Sequence, residues 1–99
     1  REQAEARNKL HREMKPLQEK YAKLEKELEK NLEELAQTKA LLADPEVYGD
    51  GGKASELLKR YHTQQAESER ILEKMGELEE ALVPYETQRL ALQGEEVEG

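Results

Sequence analysis

Two apolar series, each stepping alternately four and three residues, constrain this chain more than any other feature. The first runs Leu10, Met14, Leu17, Tyr21, Leu24, Leu28, Asn31, Leu35, Thr38 and Leu42, with eight of ten positions apolar. The second runs Leu57, Tyr61, Gln64, Ser68, Ile71, Met75, Leu78, Leu82 and Tyr85, with seven of nine apolar. A mean spacing of 3.5 sustained over several heptads is the pattern of a helix that buries one narrow stripe against another helix. The composition agrees. Charged residues make up 39% and apolar ones 35%, with no Trp, Phe or Cys. That is too little apolar matter for a broad globular core, but enough for a seam that buries two positions in seven.

Between the series lies Ala43–Lys53, reading Ala-Asp-Pro-Glu-Val-Tyr-Gly-Asp-Gly-Gly-Lys. Pro45 disfavours helix at Asp44, and Gly49, Gly51 and Gly52 tolerate positive φ. A linker this short makes the flanking helices antiparallel neighbours. The expected fold is all-α: an antiparallel two-helix coiled-coil hairpin over residues 16–93 with its corner at about 43–53. Pro16 makes residues 1–15 a Pro-kinked or separate helical lead-in from a preceding domain, Pro84 ends or kinks the second helix, and 94–99 form an acidic flexible tail.

The two series mirror each other. Numbered outward from the corner, level partners sum to 99, so that Leu42 faces Leu57, Leu28 faces Ile71 and Asn31 faces Ser68. The polar seam residues therefore cluster, where they would fix the register at some loss of stability. Leu32, Leu58 and Leu72 widen the seam on one side, and Glu27 and Lys74 flank it on the other.

Net charge is −7, unevenly spread: residues 1–30 hold nine Lys and Arg against seven Glu, whereas 31–99 hold seven against sixteen acidic residues. The mildly basic first helix carries Lys9, Arg12, Lys23, Lys26 and Lys30 on a stagger opposite the seam. Two readings stand for it: a stripe that meets a phosphate backbone, or an ordinary solvated face with Glu-to-Lys pairs such as Glu19–Lys23. Tyr21, Tyr61 and Tyr85 occupy seam positions, and Tyr48 is expected to pack with Val47 onto the hairpin tip. His11 and His62 fall on different helices, Gly49–Lys53 lacks phosphate-loop spacing, and carboxylates on solvated helices have no pocket to shift their pKa values. No catalytic, cofactor-binding or metal-ligating residue is assigned. No apolar run nears the roughly 18 residues of a membrane span. The chain begins at Arg1 without Met and is expected to be a piece of a longer, cytoplasmic protein.

The run Arg12-Glu13-Met14-Lys15-Pro16-Leu17, the segment Leu24-Glu25-Lys26-Glu27-Leu28, the corner Leu42-Ala43-Asp44-Pro45-Glu46-Val47-Tyr48 and the second-helix segment Glu77-Leu78-Glu79-Glu80-Ala81-Leu82 together resemble the C-terminal coiled-coil extension of ABC-F proteins. These are ATP-binding-cassette proteins without transmembrane domains. The corner, with Asp44, Pro45 and Tyr48, is the most specific part. Where family members often carry a Trp late in the second helix, this chain has Met75-Gly76. The resemblance implies a non-catalytic interaction arm of an ATPase acting in translation. ATP and Mg would be bound by its cassette domains, outside this chain. The arm's partners would be ribosome, RNA or DNA, or the ATPase's own domains, with the arm a monomer or weak dimer in isolation. Two alternatives stand beside it: a tRNA-binding arm of an aminoacyl-tRNA synthetase, and a purely structural spacer or dimerisation rod.

The seam pattern makes one prediction on its own. Replacing Asn31 by Leu should raise the melting temperature while loosening the register, since Leu stabilises a coiled-coil core that a polar residue specifies. Thermal unfolding followed by circular dichroism, with spin labels reporting register, checks both halves; a lower melting temperature refutes the first.

Overall fold

A computed structural model describes residues 1–98, and the side chains of residues 1–95. It contains α1 (Glu2–Leu42), α2 (Pro45–Tyr48) and α3 (Gly51–Glu98). The fold is the antiparallel helical hairpin that the two apolar series require, with α1 and α3 packed against each other.

Every position of both series is buried or half-buried, whereas nearly all intervening residues are exposed. The hairpin divides into two compact units, residues 1–23 with 75–99, and residues 24–74. They bury different chemistry. In the first, Leu10, Met14 and Met75 are the buried side chains, all apolar. In the second, Ile71, at 1% exposure the most deeply buried residue, shares the interior with Asn31, Thr38 and Ser68.

The polar cluster of the second unit fixes how α1 and α3 align there. Asn31 Nδ2 donates to Ser68 Oγ at 2.6 Å and to the Gln64 carbonyl at 2.7 Å. Asn31 and Ser68 are thus the level pair that the mirrored series anticipates. Thr38 satisfies its own hydroxyl by donating to the Glu34 carbonyl one turn back, a bond open to any Ser or Thr inside a helix. Gln64 is the exception, because its buried Oε1 has no donor. In the first unit Tyr21 Oη donates to Glu79 Oε1 at 2.6 Å, so this seam tyrosine buries its ring and keeps a polar tip at the edge.

Three expectations from sequence are narrowed or corrected. First, of the kinked and interrupted forms considered at each proline, the interrupted one is not adopted: α1 is one helix through Pro16 and α3 one helix through Pro84. Each proline removes one backbone donor, but both are exposed, so the carbonyl left unpaired can face water. Met14 and Leu17 around one, and Leu82 and Tyr85 around the other, are held in the seam. Packing on the buried side outweighs the local defect. Residues 1–15 are accordingly the start of α1, and of the two forms considered for them the separate helix is not the one adopted. Second, the positive φ that Gly49, Gly51 and Gly52 would tolerate is not used, as no glycine among the described residues has it. Gly49 is right-handed at φ −77°, and Gly51 and Gly52 form the first turn of α3. Third, Tyr48 does not pack onto the tip; it is 79% exposed, while Val47 is half-buried. At the C-terminal end the helix runs past Gly94 to Glu98; of the tail expected over 94–99, Gly99 and the side chains of 96–98 lie outside the described residues.

Gln64 and Ile71 make opposite predictions at one seam. Gln64→Leu removes a buried acceptor without a donor and extends the apolar stripe, so it should stabilise the chain by about 1–3 kcal/mol. Ile71→Ala empties the most buried site and should destabilise by about 2–5 kcal/mol. Chemical denaturation of the two variants measures both; destabilisation by Gln64→Leu would mean that its amide has a function in the seam.

Candidate interaction surface

The exposed face of α1 and the corner are the two surfaces that the sequence singles out. The corner is built by local capping. Asp44 is extended at φ −71°, ψ 124°, as the residue before a proline prefers. Its carboxylate accepts from the Glu46 N–H at 3.0 Å, and Pro45 follows as the first helical residue, where a missing N–H does no harm. One turn later the Tyr48 and Gly49 amides donate to the Asp44 and Pro45 carbonyls at 2.9 Å. Asp50 then caps α3, its Oδ1 accepting from Gly52 at 3.1 Å and Lys53 at 3.2 Å. Two aspartates at successive helix starts thus define the corner. Asp44 and Pro45 act as framework, and Tyr48 is the group presented to solvent.

Lys9, Arg12, Lys23, Lys26 and Lys30 are all exposed on α1. In the unit of residues 1–23 and 75–99, Arg12 borders a surface concavity of about 450 Å³ with Glu5, Asn8 and His11. In the unit of residues 24–74, Lys30 borders a groove of about 230 Å³ with Glu27, Asn31, Glu34, Glu67 and Ile71. Both hollows mix base with acid, and in the second three carboxylates surround one lysine. Neither of these two hollows encloses a small ligand.

A charged pair lies on α3 beside the seam, where sequence reading marked only Glu27 and Lys74. Arg70 donates to Glu67 through both Nε, at 2.9 Å to Oε2, and a terminal nitrogen to Oε1. This fork geometry suits a carboxylate. The Arg70 hydrogen bond is the main cause that lowers the Glu67 pKa, followed by opposing desolvation and then by the charges of Arg70 and Lys74. In return Glu67 raises the Arg70 pKa, with Glu27 adding to it. The i,i+3 spacing of Glu67 and Arg70 was available as a signal, although it recurs wherever charged helices are exposed. Among the described residues no group of three or more His, Cys, Asp and Glu is arranged to hold a metal ion. Nor is any helix long and apolar enough to cross a membrane.

Comparison with known proteins finds no matching family model, no matching curated protein and no matching solved structure.

The Glu67–Arg70 pair predicts a pH response with a definite sign. A lowered carboxyl pKa contributes stability above the unfolded-state value, and that contribution is lost as pH falls through the folded value. Both side chains are exposed, so the effect on stability should be small. Arg70→Ala should move the Glu67 carboxyl upward into the ordinary range in an NMR titration. An unchanged midpoint would mean that Arg70 is not the cause.

Proposed function

We propose that this chain is a non-catalytic interaction arm: the C-terminal coiled-coil hairpin of an ABC-F type ATPase acting in translation in the cytoplasm, meeting ribosomal RNA or another nucleic acid through one face of α1. The observation that carries this reading is the corner. Leu42-Ala43-Asp44-Pro45-Glu46-Val47-Tyr48 forms a doubly capped turn between two antiparallel helices and leaves Tyr48 uncovered. Of this, the resemblance in sequence implies the corner that joins two antiparallel helices. The exposure of Lys9, Arg12, Lys23, Lys26 and Lys30 supports a contact with phosphate. ATP and Mg would be held by the cassette domains of such a protein, and the hairpin would contribute reach and attachment without chemistry of its own. The synthetase-arm alternative calls for a stronger basic face than a chain of net charge −7 supplies.

The reading is tested by co-sedimenting the chain with ribosomes across a salt series, with duplex DNA and tRNA run in parallel. Ribosome binding should fall steeply with salt, and Lys23→Glu with Lys30→Glu should weaken it by about tenfold or more. Absence of binding to all three at low salt overturns the contact, and preference for tRNA would favour the synthetase-arm alternative instead.

A further inference from the structure

Within the unit of residues 24–74, one edge of the seam is not finished by the hairpin itself. Leu32, Leu58 and Leu72 each follow directly after a seam residue, on the same side of it, and remain 46%, 47% and 53% exposed. Scattered exposed leucines need no explanation, but three on one edge mark a surface that another apolar surface can cover. The opposite edge carries Glu27, Glu34 and Glu67, with one exposed leucine, Leu41.

The order of residues along this edge identifies what covers it. On α3 the edge reads Leu58, Gln65, Leu72 at seven-residue spacing, and on α1 it reads Glu25, Leu32, Lys39 at the same spacing. The first triplet is unchanged by reversal. The second becomes its own charge complement. Consider a second copy laid edge to edge and antiparallel, with α1 over α1 and α3 over α3. Leu58 then meets Leu72 of the other copy, Leu32 meets Leu32, and Glu25 meets Lys39 at both ends.

The Asn31–Ser68 contact sets the relative height of the two helices. It places the centre of one triplet, Leu32, two residues from the level of the other centre, Gln65, about 3 Å along the axis. One two-fold axis therefore serves both helices, as a closed dimer requires. The parallel arrangement is worse. It sets α1 over α3, bringing Lys39 against Leu58 and Glu25 against Leu72, and strips water from charges that gain no partner.

We infer that this edge is a self-association surface and that two copies of the chain pack on it antiparallel, as a four-helix bundle. The inference is independent of any contact with nucleic acid. With three leucines per copy the buried area falls at the low end for specific interfaces, so the dimer is weak.

Sedimentation of the 99-residue chain from about 10 μM to about 1 mM, a range that spans weak association, tests it. Dimer should accumulate toward the upper end, and Leu32→Glu should leave monomer throughout, with helicity in dilute solution unchanged. Glu25→Lys or Lys39→Glu alone should each weaken association by about tenfold, because either places like charges at both ends of the interface. Combining the two reversals should restore it. This exchange leaves the leucines in place, so it tests the antiparallel alignment even where Leu32→Glu perturbs the hairpin. Monomer at every concentration, a dimer indifferent to Leu32→Glu, or a combined variant no tighter than the single reversals would each overturn the inference.

Discussion

The alignment of α1 with α3 in the unit of residues 24–74 rests on one side-chain amide. A seam of leucines is permissive: sliding one helix by a heptad replaces Leu with Leu and loses little. Asn31 removes that freedom, because its Nδ2 reaches both the Ser68 hydroxyl and the Gln64 carbonyl. A slip would place the amide against an apolar layer with its donors unpaired. The pairing of Leu28 with Ile71, the edge on which Leu32 and Leu72 emerge, and the facing of Glu27 toward Arg70 all follow from that alignment. The polar layer gives up stability in return for specificity, as single polar residues do in coiled-coil seams.

The two units solve the same packing problem differently. Among the described residues, the unit containing the termini buries only apolar side chains, Leu10, Met14 and Met75. It also absorbs two interior prolines without interruption of the assigned helix. The unit containing the corner buries three polar side chains and one isoleucine, and it is closed by two aspartate caps. Backbone defects are thus tolerated where the seam is apolar. The polar seam, by contrast, is accompanied by short-range hydrogen bonds that define the ends of the helices. Each arrangement keeps local preference and packing from failing in the same place.

Much of this was legible in the residues. The four-three spacing implies the helices, the short corner their direction, and the mirrored numbering the pairing of Asn31 with Ser68. What sequence reading missed has a common physical cause: local rules were applied where longer-range packing decides. Pro16 and Pro84 are helix breakers in isolation, yet the seam residues beside them hold the helix. Gly49, Gly51 and Gly52 tolerate positive φ but do not use it, because Asp50 starts α3 early enough that Gly51 and Gly52 are simply helical. Tyr48 is large and aromatic, which suggests burial, but nothing at the corner is broad enough to cover it. Of the candidate surface, exposure of the five basic residues was legible. The Glu67–Arg70 fork was not, because the sequence does not distinguish one i,i+3 pair from the others.

Heptad position also decides whether the proposed activities of the hairpin compete. Lys26 and Lys30 lie on the back of α1, turned toward the charged edge, whereas Leu32, Leu58 and Leu72 lie on the opposite edge. A second copy packed on the leucines would leave both lysines uncovered. Antiparallel pairing would also present the lysines of the two copies running in opposite directions, so each copy would keep its own approach to phosphate. Self-association and nucleic-acid contact therefore draw on separate faces of the same unit. A two-helix hairpin can offer this because its core needs only two positions in seven, which leaves the other five free to specify partners.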